Sequence, residues 1–250
     1  MQKPNVLVIG DTCLDVFNYC ACERLCPEAP VPVLDIENTT RTLGMAGNVY
    51  RNIVDLDAGC TLLTNPNFES ITKTRYVDIK TNHMFIRIDS PQKYARIEQS
   101  ALSNIKWDSY DAVILSDYKK GFLTEEDIKY ISCCHPLTFL DTKKTLGDWS
   151  NDVTFIKINR KEYEATKPYL NANLSAKIIE TLGEGGCVYQ EQHFPVTKVE
   201  VKDLSGAGDS FLAALVVKYV QTSNITESLT YANEVATIVV QKMGVSTIKD

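Results

Sequence analysis

The feature that most constrains the fold is a repeated alternation of short apolar runs with helical stretches. The runs "NVLVIGD", "DAVILSD", "LTFLD" and "VTFIKIN" are mostly apolar, and each ends in a polar residue. Strands that are apolar on both faces are typical of a parallel sheet covered by helices. The alternation therefore predicts an α/β fold with a mostly parallel central sheet and helices on both faces.

For two of the helical stretches, the sequence indicates where the helix begins or ends. "GNVYRNIVDLDAG" places its apolar residues on one helical face, and the glycine predicts that this helix ends at Gly59. "NITESLTYANEVATIVVQKMG" is the clearest helix, because Asn224 and Glu227 have capping-box spacing at its start.

Two other segments break this rhythm. "VPVLDIE" and "HMFIRIDS" alternate apolar and polar residues, as half-exposed strands do. Ile86 and Ile88 would face one way, with Arg87 and Asp89 facing the other. We predict a small accessory sheet with strands from about 12–40 and 72–90, inserted as a lid into a single domain of residues 1–250. Its edges and apolar face favour pairing with a second copy, so we expect a homodimer through the lid.

Composition narrows the function classes. A hydrophobic content of 44% and a charged content of 23% are ordinary for a soluble globular protein of 250 residues. The net charge of -6 disfavours general binding to nucleic acid or an anionic membrane. We find neither an apolar run long enough for a membrane span nor a secretory signature, and expect a cytoplasmic protein. The eight cysteines lack two paired ligand sets, which favours reduced structural thiols over a metal site.

The stretch "VKDLSGAGDSFLAALVV" carries the strongest indication of function. It places Gly206, Ala207 and Gly208 directly before Asp209, at the start of an apolar helix. The first amides of a helix have no intrahelical partner and carry the positive end of its dipole, so small residues there form an anion cradle suited to a nucleotide phosphate. Asp209 could accept a proton from a hydroxyl that attacks this phosphate. Alternatively, the glycines only permit a tight turn and Asp209 caps the helix. The catalytic interpretation requires a carboxylate that can be reached from a cavity.

Further polar residues follow the apolar strands, where ligands of parallel sheets bind. They are Gly10 with Asp11, Ser116 with Asp117, Asp141 with Lys143, and Asn159 with Glu162. Each alone is explained as a helix cap. The whole set favours a shared polar site.

At this point the sequence resembles a known family. "DLSGAGDSF" is similar to the C-terminal signature of the ribokinase-like (PfkB) carbohydrate kinases. "VLVIGDTCLDVFNY", "PEAPVPVLDIE", "TLGMAGNVYRNI", "TKTRYV", "IRID" and "VILSDYKKG" resemble, in order, the kinase domain of the bacterial heptose-7-phosphate kinases of ADP-heptose synthesis. The resemblance spans nearly the whole chain.

The resemblance implies a role for each matching residue, with ATP and Mg²⁺ as cosubstrate and cofactor and a sugar phosphate as partner. Asp209 would be the base, and Gly206, Ala207 and Gly208 the anion hole. The residues implied for nucleotide binding are Asn159, Glu162, Asp141, Lys143, Gly183, Gly186 and Asn233, with Glu162 also ordering Mg²⁺ indirectly. Those implied for the sugar phosphate are Asp15, Gly44, Asn48, Lys73, Arg75, Arg87 and Lys120. Asp203 lies in a loop where many relatives bind a monovalent cation, such as K⁺.

Three departures from the family pattern keep other functions open. Met45 stands where relatives have a second glycine beside the sugar, and residues 65–70 are too few for the helix and strand that relatives carry there. The nucleotidyltransferase domain fused in some heptose enzymes has no match, so only the kinase step is implied. The alternatives are a PfkB-type kinase of another sugar or nucleoside, and a non-catalytic relative that only binds nucleotide.

Overall fold

The computed structural model describes residues 3–250, which form two sheets with surrounding helices. In chain order the strands are β1 (Asn5–Gly10), β2 (Thr12–Leu25), β3 (Pro32–Met45), β4 (Gly59–Thr64), β5 (Thr72–Asp78), β6 (Met84–Asp89), β7 (Ala112–Asp117), β8 (Thr138–Thr142), β9 (Phe155–Asn159), β10 (Ile178–Thr181), β11 (Cys187–Tyr189) and β12 (Gln192–Phe194). The helices are α1 (Ala46–Asp55), α2 (Gln99–Ser103), α3 (Glu125–Cys134), α4 (Arg160–Thr166), α5 (Ala172–Ser175), α6 (Ala207–Thr222) and α7 (Ile225–Val239).

The central sheet has the strand order β12-β11-β10-β9-β8-β7-β1-β4. The strands from β4 to β10 in this order run parallel, and β11 and β12 add an antiparallel edge. The prediction of a mostly parallel sheet is confirmed. All the parallel strands therefore end at one edge of the sheet, where the polar residues that follow them meet.

The apolar runs are continuous because the sheet has a core on each face. Val6 and Val8 of β1 pack with buried residues of α1, α6 and α7, whereas Leu7 and Ile9 pack on the other face with buried residues of α2 and α3. All four side chains are at most 2% exposed. Burial of each such side chain stabilises the fold by roughly 1.5–3 kcal/mol.

Helix α6 contains an unbroken run of nine buried residues. Its residues from Asp209 to Val217 are all buried, which explains why the sequence from Phe211 to Val217 is apolar on every side of the helix. The helix packs between α1 and α7. Its N-terminus, which begins after Gly206, faces the edge where the parallel strands end.

The second sheet has the strand order β3-β2-β5-β6 and confirms the predicted accessory sheet. We call it the lid. Strands β2 and β5 pair in parallel, and the other neighbours pair antiparallel. On the edge strand β6, Ile86 and Ile88 lie on one face of the lid and are about half exposed. Arg87, between them, lies on the opposite face, which also carries Arg75 and Asp15.

The connections on either side of β4 are short. The predicted helix end at Gly59 is wrong: α1 ends at Asp55, Asp57 takes the left-handed conformation with φ +60°, and Gly59 already begins β4. Asp adopts this conformation more easily than most residues, so no glycine is needed. The link after β4 contains only a single 3₁₀ turn, Phe68–Ser70.

All eight cysteines have free thiols. Within residues 3–250, no helix is both long and apolar enough to cross a bilayer.

Candidate active site

The glycines before α6 are required by close contacts as well as by backbone conformation. Gly206 has φ +82°, and a Cβ atom there would lie 2.6 Å from the amide nitrogen of Asn48. A Cβ on Gly208 would lie 2.9 Å from the Nζ atom of Lys157. Small residues therefore let one amide and one ammonium group approach the start of the helix.

Some of the backbone N–H groups at this turn already have a hydrogen-bond acceptor and others do not. The N–H of Ala207 donates to the carbonyl of Leu204 at 3.3 Å, and that of Asp209 donates to Gly206 at 3.0 Å. The N–H groups of Gly206 and Gly208 have no acceptor within the described part of the chain. A bound anion would therefore accept hydrogen bonds from the two glycine N–H groups, and the positive end of the helix dipole would stabilise its charge.

Asp209 is held by two hydrogen bonds. The hydroxyl of Tyr118 donates to Oδ1 at 2.6 Å, and the amide of Asn48 donates to Oδ2 at 2.9 Å. Burial raises the pKa of Asp209 to about 6, although the bonds from Tyr118 and Asn48 lower it. Asp209 is only 4% exposed. The carboxylate is thus present at neutral pH, but Tyr118 and Asn48 occupy both of its oxygens.

A buried ion pair that we did not predict from the sequence lies beside the start of α6. Lys157 on β9 donates to Oδ2 of Asp141 on β8 at 2.6 Å, and both residues are at most 5% exposed. The two residues are register partners on adjacent parallel strands. Oδ1 of Asp141 is buried without a hydrogen-bond partner within residues 3–250. The ammonium group of Lys157 lies directly against Gly208, at the start of α6.

Asn159 and Glu162 form the capping box of α4. The Asn159 side chain accepts from the N–H of Glu162 at 2.9 Å, and the Glu162 carboxylate accepts from the N–H of Asn159 at 2.8 Å. Glu162 also accepts from the Nζ atom of Lys143. The sequence predictions for these residues and for Lys143 thus fall on one connected group at the sheet edge.

The lid contributes the residues predicted for the sugar. Arg75 donates to Asp15 at 2.5 Å in a nearly buried ion pair, and a Cβ at Gly44 would overlap this carboxylate. Gly44 is therefore needed for the position of Asp15. The Nζ atom of Lys73 lies 5.6 Å from the centre of the Tyr118 ring. The contacts of Asp15, Gly44 and Asn48 with sugar hydroxyls stay predictions.

The two remaining lid-side cations lie further out. Arg87 is exposed and paired with Asp89 at 2.8 Å. Lys120 is also exposed, in the loop after β7. That loop is fixed by Asp11, whose carboxylate accepts backbone N–H groups of Tyr118 and Phe122 at 2.8 and 3.2 Å.

A cavity of about 460 Å³ opens beside the cradle. Its wall includes Ala207 and Gly208 together with the predicted nucleotide residues Gly183, Gly186 and Asn233. The rest of its wall is mainly apolar, as a slot for a flat aromatic base would be. Asn233 itself is buried, and its amide donates to the carbonyl of Phe194 at 2.9 Å.

Asp203 has a visible structural role. Its two carboxylate oxygens accept the backbone N–H groups of Ser205 and Gly244 at 2.8 and 3.2 Å, which joins the loop before α6 to the C-terminal segment. Its part in a monovalent cation site stays a prediction.

Comparison with known proteins fits this geometry. Residues 126–250 match the family described as pfkB family carbohydrate kinase. The chain belongs to this family. It is therefore a phosphotransferase that acts on a sugar hydroxyl.

Curated relatives of the kinase align along almost its whole length. The bifunctional protein HldE of a Nitratiruptor species is 30% identical over 98% of the chain, and HldE of Helicobacter pylori (strain J99) is 32% identical over 96%. The chain spans about 63% of the length of each. The first alignment extends over 296 positions, more than the 250 residues of the kinase, so that relative carries insertions.

Solved structures share the fold at lower identity. Ribokinase of Thermotoga maritima matches with a TM-score of 0.70 at 17% identity, covering 98% of this chain and 97% of that one. The nucleoside kinase of Methanocaldococcus jannaschii matches with a TM-score of 0.70 at 16% identity, covering 100% and 97%. The fold of the kinase is thus ribokinase-like.

Proposed function

We propose that this kinase transfers the γ-phosphoryl group of ATP to the anomeric hydroxyl of heptose 7-phosphate, with Asp209 as the base. The observation that carries the proposal is a buried carboxylate in the first turn of a helix whose opening residues, Ala207 and Gly208, line the cavity of about 460 Å³; Asp209 itself is not among the lining residues. The similarity to HldE proteins, at about 30% identity, supports heptose phosphate as the substrate.

The proposed step is a direct transfer from nucleotide to sugar. The acceptor hydroxyl gives its proton to Asp209, its oxygen forms a bond to the γ-phosphorus, and the bond from that phosphorus to the β–γ bridging oxygen breaks, releasing ADP. The amides of Gly206 and Gly208 and the ammonium of Lys157 stabilise the charge on the transferred group. A pKa of about 6 keeps Asp209 mostly ionised at pH 7 while leaving it basic enough to take the proton.

The residues present fit Mg²⁺ in the manner usual for kinases. Mg²⁺ is commonly bound through one or two carboxylates together with water and substrate phosphates. No group of three or more His, Cys, Asp or Glu in the described part of the chain is placed to hold a metal ion alone. Asp141, with its unpartnered Oδ1, would hold the ion, and Glu162 would order it indirectly; the ion would neutralise phosphate charge.

The charges of the lid residues indicate which of them holds the phosphate group of the sugar substrate. Arg75 is already neutralised by Asp15, and Arg87 is paired with Asp89. Lys73 lies on the lid strand beside Tyr118, close to the proposed base. Lys73 is therefore the cation that we assign to the substrate phosphate, with Arg87 and Lys120 at the rim.

An acceptor panel tests this proposal. We expect phosphoryl transfer from ATP to heptose 7-phosphate and at least 100-fold lower kcat/KM for the unphosphorylated heptose, because Lys73 would lose its partner. Ribose, fructose 6-phosphate and a nucleoside complete the panel. Efficient transfer to one of these instead would assign another substrate within the family, and nucleotide binding without transfer to any acceptor would refute a catalytic role.

We also propose that the kinase is a homodimer joined through the apolar face of the lid. Ile86 and Ile88 are 51% and 52% exposed on the edge strand β6, and Ile36 on β3 is 55% exposed. Exposed aliphatic side chains at a sheet edge favour pairing with a second copy.

Light scattering coupled to gel filtration tests the dimer. We expect a mass near 56 kDa, twice the 28.0 kDa of the chain, and a monomer for the Ile86→Asp, Ile88→Asp double variant. Lys106→Asp, on an exposed loop away from the lid, is the control and should stay dimeric. A monomeric wild-type protein at micromolar concentration would exclude this interface.

A further inference from the structure

The side chain of Tyr118 covers the candidate base. We propose that Tyr118 is a displaceable cover on Asp209: its hydroxyl occupies Oδ1 until the acceptor hydroxyl takes its place. The inference rests on the proposed function, in which Asp209 accepts a proton from the acceptor.

The contact geometry carries the proposal. Oδ2 of Asp209 is bound by Asn48, which is fully buried and leaves no way in from solvent. Oδ1 is bound by the hydroxyl of Tyr118 at 2.6 Å, and Tyr118 is partly exposed. Asp209 is only 4% exposed, and Tyr118 is the partly exposed one of its two partners, so we place the approach of the acceptor hydroxyl at Oδ1, on the Tyr118 side.

The backbone of the loop that carries Tyr118 is held by hydrogen bonds, so only the side chain of Tyr118 needs to move to uncover Asp209. The N–H of Tyr118 donates to Oδ2 of Asp11 at 2.8 Å, and the N–H of Phe122 donates to Oδ1 at 3.2 Å. The next N–H, of Lys119, donates to Asp117 at 3.1 Å. Rotation of the Tyr118 side chain breaks none of these bonds.

Two lysines hold the ring in its covering position. Lys73 from the lid and Lys143 from the loop after β8 place their Nζ atoms 5.6 and 5.5 Å from the ring centre. Ammonium groups at this distance attract the ring face. Lys73 is the cation assigned to the substrate phosphate, and Lys143 belongs to the nucleotide side. Phosphates that draw these ammonium groups away would release the ring when both substrates are bound.

A cover on the base has a purpose in a kinase. Water at a carboxylate beside a bound nucleotide competes with the sugar for the γ-phosphoryl group. The Tyr118 hydroxyl keeps water off Oδ1 while no acceptor is present. Loss of this hydroxyl should therefore increase ATP hydrolysis in the absence of sugar.

The pH dependence separates a displaceable cover from a fixed partner. The charged and titratable groups that face Asp209 from the surrounding strands and loops are Asp141, Lys157, Lys143 and Cys13, and Tyr118→Phe leaves all of them in place. The variant removes a hydrogen bond that lowers the pKa of Asp209, so this pKa rises. For a bond to a charged group we expect a rise of about one pH unit or more.

The experiment compares wild type, Tyr118→Phe and the control Tyr94→Phe, which removes a hydroxyl from the same cluster of side chains but touches Met45 instead. The acidic limb of kcat/KM reports the free enzyme, and that of kcat reports the ternary complex. For Tyr118→Phe we expect the kcat/KM limb to move up by about one pH unit, the kcat limb to stay, and sugar-independent ATP hydrolysis to rise several-fold. Tyr94→Phe should match wild type.

Other results overturn the inference. Equal movement of both limbs would show that Tyr118 stays on Asp209 during turnover, and movement of neither would show that the bond has no effect on the base. Carboxyl NMR titration of Asp209 in the free enzyme provides a readout that needs no acceptor, and an unchanged pKa there also refutes the proposal. A wild-type enzyme that phosphorylates no sugar would instead refute the proposed function itself.

Discussion

Replacing Asp209 with asparagine should lower phosphoryl transfer by a factor on the order of 10²–10⁴, the usual contribution of a general base. The amide keeps the shape of the side chain but cannot take a proton from the acceptor. The cavity wall that we assign to the nucleotide is formed by other residues, among them Gly183 and Gly186, so ATP affinity should change less than threefold. Single-turnover transfer from labelled ATP and calorimetric ATP binding measure the two effects.

The matched control for this variant is Asp108→Asn, which makes the same change at an exposed 3₁₀ turn. It should transfer at the wild-type rate. The structure already excludes a helix-cap role for Asp209, because Gly206 is the N-cap and no side chain caps the helix. If Asp209→Asn also transfers at the wild-type rate, the carboxylate only holds Tyr118 and Asn48 in place and is not the base.

Replacing Lys157 with methionine should give the largest combined loss of stability and activity. Removing one partner of a buried ion pair leaves the other charge uncompensated, which typically costs about 3–5 kcal/mol. Asp141 is 3% exposed, so its carboxylate would be left buried without a counter-charge. We expect the free energy of unfolding to fall by about this amount, as measured by urea denaturation.

Transfer should fall independently of stability. Removing one group that stabilises transition-state charge costs on the order of 10²–10³ in kcat. The double variant Lys157→Met, Asp141→Asn removes both charges, so it should regain most of the lost stability but not the lost kcat. Full recovery of kcat in the double variant would show that Lys157 serves only to neutralise Asp141, and also that Asp141 is not needed to hold Mg²⁺.

A surface pair provides the comparison for stability. Lys218 and Glu227 pair at 2.7 Å with both side chains partly exposed. Lys218→Met should cost about 1 kcal/mol or less, as exposed pairs usually do. A similar cost at Lys157 would argue against the buried charge as the cause.

The fold could be predicted because its determinants are local. Continuous apolar runs required a sheet with two cores, and β1 divides its residues between them. The alternation in "HMFIRIDS" placed Ile86 and Ile88 on one face, as found. The end of α1 was misplaced because a left-handed residue can be Asp57 as well as a glycine.

The site could be predicted only in part. The motif before α6 located Asp209, but its two partners come from α1 and from the loop after β7, 161 and 91 residues away along the chain. No local pattern reports contacts at such separation. The cover by Tyr118 was therefore not anticipated.

Lys157 did leave a signal in the sequence. A lysine in the middle of the buried run "FIKIN" needs a counter-charge, because an unpaired buried ammonium is costly. Asp141 on the preceding strand was the nearest candidate, and the observed register pairs the two residues. The pair could have been predicted from the strand order together with the register of β8 and β9.

The most direct test of the central claim is the pH dependence of kcat/KM for the acceptor in wild type and Asp209→Asn, measured together. The base works only as a carboxylate, so wild-type kcat/KM should fall about tenfold per pH unit below the pKa of about 6 and be level above it. Ionisation of ATP and the sugar phosphate affects both proteins equally. In wild type we expect kcat/KM to fall at acidic pH as Asp209 takes up a proton. In Asp209→Asn the residual kcat/KM should lack this fall. The same acidic limb in both proteins would contradict the account, because a group other than Asp209 would then be taking the proton.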